Sequence, residues 1–436
     1  MPDEPRKGSL LVIFLTVFID LLGFGIVLPL LPIYAADFAI DPHGWRLGLL
    51  MASFSIMQFI FAPIWGRISD HWGRRPVLIV GLLGSVVFYT LFGVATVMKS
   101  LTLLFVARIG AGIAGATIPT AQAYIADTTS LEKRSKGMAL IGVAFGLGFT
   151  FGPMVAYLAV PSGYGDPGPW PGYAAAILSA VALLLAIFKL PESKHAYSQA
   201  AARRIWDLQG FSEAIRTPSI GLLLAAVFVC IFSFAAYETT LSILIKDEFK
   251  FSFRQVCLTY AYIGLMLALI QGGIVRRLSG RVSEANLSIA GVVLETLGYG
   301  LMALAVPLRS IGLAFAAAAL VVTGFSMMHP SLNSLLSRRS DPKKQGAIMG
   351  VGQSVSALAR IVGSGLGIPL LRYRLELPYY VAAALMVVGL VLLIAAARRG
   401  FRDPAVAPQG WAENIQERRQ ARRATFEDRS QPAAAG

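Results

Sequence analysis

The feature that most restricts the fold of this chain is a series of apolar runs of about 20 residues, separated by short polar loops. A helix of that length crosses the roughly 30 Å of hydrocarbon in a bilayer. The chain is 56% hydrophobic and 14% charged, which is too apolar for a soluble globular protein of 436 residues. It is therefore predicted to be an all-α, multi-pass integral membrane protein. A membrane barrel is excluded because the sequence lacks the alternation of apolar and polar residues that barrel strands require.

Twelve such runs are predicted, and we number them spans 1 to 12. Their expected ranges are residues 9–36, 46–66, 77–97, 101–126, 138–160, 172–190, 218–245, 255–275, 285–306, 310–336, 346–371 and 378–397. Residues 1–190 are expected to form an N-terminal six-helix bundle and residues 218–397 a C-terminal one. Residues 191–217 would be a cytoplasmic linker, and residues 398–436 a basic cytoplasmic tail that is disordered or lies on the membrane surface.

Most of the 38 Lys and Arg residues are predicted on the side of the membrane that holds the N-terminus and the tail. Cytoplasmic loops carry the excess of Lys and Arg, so both termini are predicted to be cytoplasmic. The same bias accounts for the formal charge of +14 without a nucleic-acid partner. Cys230 and Cys257 lie in or beside apolar runs and indicate neither a disulfide framework nor a metal site, and no cofactor is expected.

A charged turn, GRISDHWGRRP from Gly66 to Pro76, separates spans 2 and 3. A second basic turn, GIVRRLSGR from Gly273 to Arg281, follows span 8. In each turn two glycines lie seven residues apart, and the second glycine is followed by Arg. The two turns occupy equivalent places if spans 7–12 repeat spans 1–6. The pattern therefore indicates two parallel, pseudo-symmetric repeats.

Several motifs resemble the major facilitator superfamily, and more narrowly its twelve-helix drug:proton antiporter group near the bacterial tetracycline-efflux pumps. GRISDHWGRRP resembles the superfamily's signature between helices 2 and 3. DLLGFGIVLPLLP, which begins at Asp20, resembles the acidic first-helix signature of the antiporters, and GLGFTFGP, which ends at Pro153, resembles their fifth-helix signature. Residues 107–129 are similar to the fourth helix of tetracycline pumps, and VVLETLGY places Glu295 where those pumps carry an aspartate.

The resemblance implies the major facilitator fold and a function that is transport rather than enzymatic catalysis. It implies proton-coupled export of a small amphipathic or drug-like compound by alternating access. The expected partners are that compound, protons and the lipid bilayer, for a monomer in a bacterial inner membrane. Two alternatives stay open, since a fold does not determine a substrate. One is a facilitator or symporter of a sugar, organic acid or other metabolite, and the other is a non-transporting receptor or scaffold.

Charged side chains are predicted inside five spans, where each needs a partner or a wet cavity because a charge at mid-membrane costs roughly 2.5 to 3.5 kcal/mol. They are Asp20, Arg108, Glu238, Glu295 and Arg360. Asp20 and Arg108 enter from opposite sides and could meet near the midplane. Asp20 would then be a proton carrier or half of a structural ion pair. Arg108 would tune an acidic neighbour or satisfy helix carbonyls.

The other candidates for proton coupling have equally open roles. Glu238 would bind a proton or a cationic group, or reach the outer surface. Glu295 would carry a proton, or would be a neutral acid in a packing contact. His329 would join a proton relay or form a structural hydrogen bond. Arg360 would be a counter-ion to Glu238, bind an anionic substrate group, or clamp the C-terminal half.

Polar side chains within the spans are candidates either for a substrate cavity or for hydrogen bonds between helices. They are Gln58, Gln122, Tyr237, Gln271, Asn333, Gln353 and Arg360. The expected gating residues are Gly66, Asp70, Gly73, Arg74, Arg75, Gly152 and Pro153. The resemblance suggests that Asp70 bonds near the start of span 11 while Arg74 and Arg75 hold the turn at the cytoplasmic face. Alternatively, these two arginines only fix the topology.

Overall fold

The computed structural model describes residues 7–38, 41–129, 131–160, 168–193, 217–278, 281–339 and 345–400. Within these ranges the chain is almost entirely helical, and eleven helices are long and apolar enough to cross a membrane. Span 5 is a further long helix with a shorter apolar part, Gly146–Ala159. The predicted linker and tail lie mainly in residues 194–216 and 401–436, outside the described residues. The sidedness of the termini stays a prediction.

Nine of the spans are each a single helix in the described residues. They are Trp45–Trp72 (span 2), Arg74–Val97 (3), Leu131–Ala159 (5), Trp170–Lys189 (6), Pro218–Asp247 (7), Glu284–Ala305 (9), Ile311–Arg338 (10), Gln345–Tyr373 (11) and Leu377–Gly400 (12). The other three are interrupted. Span 1 is Lys7–Val27 and Leu31–Phe38, span 4 is Leu101–Gly115 and Ile118–Thr128, and span 8 is Phe253–Leu269, a π-helical segment Ile270–Val275 and a last turn Arg276–Leu278. The sequence-based ranges did not include these interruptions.

A proline explains the interruption in span 4. Pro119 has no amide hydrogen, so the carbonyl of Gly115, four residues earlier, loses its helical donor. Two side chains of span 2 supply donors at this point: Gln58 Nε2 donates to Gly115 O at 3.3 Å, and Trp65 Nε1 donates to Ile113 O at 2.7 Å. A backbone break at membrane depth is tolerated here because protein groups satisfy the freed carbonyls.

The packing of spans 1–6 recurs in spans 7–12. In the N-terminal half (spans 1–6), span 1 packs on spans 5 and 6, span 3 packs on spans 4 and 6, and span 2 packs on span 4. The same contacts recur in the C-terminal half (spans 7–12). There, span 7 packs on spans 11 and 12, span 9 packs on spans 10 and 12, and span 8 packs on span 10. The main contacts between the halves join span 2 to span 11 and span 5 to span 8, and these two contacts are equivalent as well. The repeat seen in the two basic turns thus extends to the helix packing.

The halves meet at the ends of the spans that lie away from the charged turn. There the backbones of Gly48 and Gly365 approach each other, and the guanidinium group of Arg254 donates to the Val160 carbonyl at 3.0 and 3.2 Å. Towards the turn side, the π-helical segment Ile270–Val275 packs on span 10, and a Cβ atom on its Gly272 or Gly273 would meet no atom of the described residues within 4 Å. The molecule is therefore closed on the side remote from the turn, which is the outer side under the predicted topology.

Candidate functional site

Asp20 lies in the middle of the first part of span 1, inside the N-terminal half. Its side chain is half-buried, and its Oδ1 atom is buried without a hydrogen-bond partner in the part of the chain that the structure describes. Ser85 of span 3, which is itself buried, is the polar neighbour of the carboxyl group. A carboxyl group in a low-dielectric site without a cation is stable in its neutral form, and it ionises when water or a cation reaches it. Asp20 thus has the surroundings that a proton carrier needs.

Arg108 of span 4 is only 3% exposed and lies against aromatic rings. Its guanidinium carbon is 4.6 Å from the ring centroid of Phe54 and 6.0 Å from that of Phe24, and such contacts stabilise a desolvated cation. The Nε and Nη1 atoms are buried and have no hydrogen-bond acceptor among the residues with a described position. No salt bridge joins Arg108 to a carboxylate within the described residues, so the ion pair that Arg108 and Asp20 could form is absent from this conformation. Tyr89 of span 3 interacts electrostatically with both groups.

One face of span 2 carries aromatic residues that the sequence analysis missed. Phe54 and Trp65 flank Gln58 at spacings of four and seven residues, which is the helical repeat and the only signal in the sequence. Phe54 contacts Arg108, while Trp65 and Gln58 bond to the interrupted span 4. For Gln58, the structure therefore favours the hydrogen bond between helices over the substrate contact.

Three titratable side chains lie close together in the C-terminal half. Arg360 of span 11 interacts electrostatically with Glu238 of span 7 and with His329 of span 10. Arg360 is exposed and the other two are half-buried, and no salt bridge joins them in the part of the chain that the structure describes. Gln353 is also exposed and precedes Arg360 by seven residues, so both lie on one face of span 11. A solute bound beside this group could contact a cation, Arg360, and an acidic side chain, Glu238.

An aromatic stack adjoins this group. The ring of His329 stacks on Phe325 with a centroid distance of 5.2 Å, and Phe325 stacks on Phe234 at 3.8 Å. The Nδ2 atom of Asn333 lies 3.4 Å from Nε2 of His329. Phe234 and Phe325 are half-buried, so the stack provides a flat apolar surface beside the charged groups. A planar amphipathic compound has the complementary chemistry.

Glu295 of span 9 is fully enclosed instead. It is 0% exposed, and its Oε2 atom accepts a hydrogen bond from the Tyr299 hydroxyl at 3.1 Å. Its Oε1 atom has no hydrogen-bond partner within the described ranges. Tyr237 of span 7 is 2% exposed, with its ring centroid 5.8 Å from that of Tyr299 and 6.4 Å from that of Tyr379 in span 12. The expectation that Tyr237 lines a cavity is corrected here, because its ring packs against aromatic rings inside the bundle.

Two further glutamines occupy less enclosed positions. Gln122 is half-buried in the second part of span 4, and Gln271 is half-buried in the π-helical segment of span 8. π-Helical segments are rare and often occur at functional sites. Both glutamines remain candidates for contact with a solute.

Arg74 organises the charged turn. Its Nη1 atom lies 2.6 Å from Asp70 Oδ1, and its Nε atom lies 3.1 Å from Oδ2 of Asp127 at the end of span 4. The carboxylate of Glu192, which follows span 6, accepts hydrogen bonds from the backbone amides of Arg74 and Arg75 at 2.9 and 3.1 Å. A carboxylate at a helix N-terminus is stabilising, and here it joins the ends of spans 3 and 6. Asp127 and Glu192 were missed in the sequence, where only their places at span ends near a basic turn could have indicated them.

Gly73 makes the sharp bend at the start of span 3. Its φ of 101° lies in the region that favours glycine, and a Cβ atom at this position would lie 2.5 Å from Oε2 of Glu192. A Cβ atom on Gly66, at the start of the motif, would meet no atom of the described residues within 4 Å. Arg75 Nη2 donates to the carbonyl of Ile187 in span 6 at 2.6 Å. Residues 340–344, before span 11, lie outside the described residues, so the bond of Asp70 near the start of span 11 stays a prediction.

Gly152 and Pro153 lie where span 5 touches span 1. A Cβ atom on Gly152 would lie 2.6 Å from the carbonyl carbon of Gly25, and one on Gly25 would lie 2.5 Å from the carbonyl oxygen of Gly148. The two backbones are therefore in direct contact, as small residues permit between membrane helices. This contact places the fifth-span motif beside the helix that carries Asp20.

Comparisons with known proteins agree with this architecture. A family model of the Major Facilitator Superfamily matches residues 13–364. The chain is 32% identical over 408 residues to the class C tetracycline resistance protein of Escherichia coli, covering 93% of this chain and 98% of that protein. It is 32% identical over 416 residues to Major facilitator superfamily domain-containing protein 10 of Homo sapiens, covering 83% of this chain and 87% of that protein.

Solved structures show the same similarity. The crystal structure of the human organic anion transporter MFSD10 (TETRAN) superimposes with a TM-score of 0.68 at 27% identity, covering 90% of this chain and 100% of that chain. A D-xylose-proton symporter superimposes with a TM-score of 0.72 at 17% identity, covering 88% of this chain and 96% of that chain. The second likeness concerns the fold alone.

Proposed function

The chain belongs to the Major Facilitator Superfamily of membrane transporters, and we propose that it exports a small amphipathic or drug-like compound in exchange for protons. The observation that carries this proposal is the half-buried Asp20 carboxyl group in the middle of span 1, which has a buried oxygen without a hydrogen-bond partner among the described residues. The class C tetracycline resistance protein, which matches almost the whole chain, supports a drug-like substrate. A bacterial inner membrane belongs to the same proposal, and the mammalian relatives leave a eukaryotic membrane as the alternative.

Exchange requires that the proton and the substrate occupy the protein alternately. With its proton, Asp20 is neutral, and Arg108 has no salt-bridge partner among the described residues. Loss of the proton creates a carboxylate in the same half as the unpaired guanidinium group, and attraction between the two would draw spans 1 and 4 together. The charge on Asp20 would in this way alter the packing of the half that contains it.

An organic anion is the second candidate substrate. The guanidinium groups of Arg108 and Arg360 lie in opposite halves, and neither has a salt bridge to a carboxylate in the described ranges. A carboxylate or sulfonate on the substrate would supply the missing partner. The similarity to a protein described as a human organic anion transporter supports this candidate.

Reconstituted liposomes with a pH-sensitive dye inside would test the proposal. Tetracycline, a lipophilic cationic dye and an aromatic carboxylate would be added separately to the wild type, to Asp20→Asn and to the control Asp247→Asn. Asp247 is an exposed carboxylate at the end of span 7. We expect at least one compound to drive proton movement opposite to its own in the wild type and the control, and none in Asp20→Asn. Movement of protons and compound in the same direction would indicate a symporter, and normal exchange by Asp20→Asn would remove Asp20 from the mechanism.

A further inference from the structure

Spans 5 and 11 each contain a proline near the place where they meet the opposite half. Pro153 and Pro369 have no amide hydrogen, so the carbonyls of Phe149 and Gly365, four residues earlier, lose their helical donors. Such carbonyls are costly in a membrane unless another group approaches them. Spans 5 and 11 are equivalent in the repeat, so the same feature occurs once in each half.

Each of these carbonyls faces a glycine of the other half. A Cβ atom on Gly264 of span 8 would lie 2.6 Å from Phe149 O, and one on Gly48 of span 2 would lie 2.2 Å from Gly365 O. The second Cβ atom would also lie 3.2 Å from Cδ of Pro369. The glycine backbone therefore lies directly against the freed carbonyl, an approach in which Cα–H groups act as weak donors.

The contact of spans 2 and 11 continues beyond this pair. Gly44, one turn before Gly48, has a φ of 72°, and a Cβ atom on it would lie 2.8 Å from Cγ2 of Ile368 and 3.0 Å from Cγ of Arg372. Both glycines thus bring the start of span 2 against the last turns of span 11. All of this lies on the closed side of the molecule.

We propose that Gly48, Gly365 and Pro369 form a positioning contact that holds the outer side closed and must separate when the transporter opens outward. The inference rests on the proposed transport by alternating access. Weak Cα–H contacts suit this role, because they fill the space without strong bonds that would have to break in every cycle. The contact of spans 5 and 8 contains the fifth-span motif, whereas no motif marked the contact of spans 2 and 11.

The first experiment measures the distance between spin labels on Met98→Cys and Leu308→Cys, two exposed positions on the closed side in opposite halves. The variant is Gly48→Ala, whose Cβ atom does not fit the closed contact. The matched control is Gly365→Ala. Gly365 takes part in the contact through its backbone carbonyl, which this substitution keeps, and among the described residues its new Cβ atom would meet just the Cβ atom of Ala52, at an ordinary 3.8 Å. We expect Gly48→Ala to raise the outer-open fraction about tenfold, and Gly365→Ala to leave it within about twofold. Equal distance distributions for the two variants would overturn the proposal.

The second experiment keeps Gly48 and Gly365 unchanged, so it tests the proposal even if the Gly48→Ala variant does not fold. Cysteines replace Trp45 and Tyr373, which are exposed at the adjoining ends of spans 2 and 11, and a short reducible reagent links them. We expect linked protein to bind substrate but not transport it, with transport restored by reduction. Transport by linked protein at the wild-type rate would show that the contact need not separate. The spin-label distances need no substrate, so failure of the proposed substrate or of proton exchange would be seen separately.

Discussion

The two halves of this transporter pack their helices in the same way but enclose different polar groups. In the N-terminal half, Asp20 and Arg108 form no salt bridge with the described residues. Span 1, which carries Asp20, touches span 7 of the other half, and span 4, which carries Arg108, is bonded to the charged turn through Asp127. In the C-terminal half, Glu295 is fully enclosed and bonded to Tyr299. Helix packing depends on apolar and small residues, and the positions of titratable groups depend on a few single residues. A repeated scaffold can therefore hold Asp20 and Arg108 in one half and an enclosed, hydrogen-bonded acid at a different place in the other.

The two basic turns differ in a similar way. Arg74 forms ion pairs with Asp70 and Asp127, whereas Arg281, which stands at the same place in the second turn, is exposed. The first turn is bonded to spans 4 and 6, while the second follows a π-helical segment. We expect the first turn to be the more important one for gating.

The largest effect is expected for Asp20→Asn. Asparagine keeps the shape of the side chain but cannot bind or release a proton, so proton-driven transport should fall to the level of empty liposomes while substrate binding persists. Flux and equilibrium binding measured on the same preparation would check this. Transport above that level would show that Asp20 is not essential for proton coupling, and the proposed functional difference between Asp20 and Glu295 would be lost.

The next largest effect is expected for Arg74→Ala, with Arg281→Ala as its matched control. Loss of partly exposed ion pairs should weaken the turn by about 1 to 2 kcal/mol and slow transport, whereas the exposed Arg281 should change stability by less than about 0.5 kcal/mol. Thermal unfolding in detergent and initial transport rates would measure both variants. Equal losses would contradict the difference between the turns.

Substitutions of two glycines in the first turn should distinguish an effect on stability from an effect on transport. Gly73→Ala should cost about 1 to 2 kcal/mol of stability, because its φ of 101° strains any side chain. Gly66→Ala should be neutral or stabilise span 2 by up to about 1 kcal/mol, since a Cβ atom there would meet no atom of the described residues. A transport loss in Gly66→Ala at unchanged thermal stability would show that this glycine is needed in another conformation.

The smallest effect is expected for Glu295→Gln. Glutamine has nearly the same shape as a neutral glutamic acid and can accept the bond from Tyr299, so stability should change by less than about 1 kcal/mol and transport by less than about twofold. The same flux and unfolding assays apply. Loss of proton-driven flux in this variant would give the C-terminal half a proton site of its own.

The spans, the repeat and the family could be predicted because they depend on local hydropathy and on short motifs. Contacts between distant positions could not. The bond from Gln58 to Gly115 depends on the carbonyl that Pro119 frees, and it becomes apparent only when spans 2 and 4 are side by side. The place of Tyr237 depends in the same way on Tyr379, which follows much later in the chain.

The separation of Asp20 from Arg108 is a further example. Counting residues along each helix predicts a similar depth in the membrane for Asp20 and Arg108. Which neighbours a side chain contacts, however, depends on the rotation of its helix about the helix axis. Phe54 occupies the space beside the guanidinium group instead of a carboxylate. The rotation of each helix about its own axis cannot be predicted from single residues in the sequence. It is determined by how the six helices of the half pack together.

The bond between Glu295 and Tyr299 has a consequence for how the protein is made. Span 9 enters the membrane before spans 10 and 12, which later enclose it, have been synthesised. An acidic side chain in a newly inserted helix lacks its final neighbours, and a charge at that depth costs roughly 2.5 to 3.5 kcal/mol. Tyr299 lies one turn further along the same helix, so its hydroxyl can bond to the acid as soon as span 9 forms. The partner that the finished protein uses is therefore present during insertion.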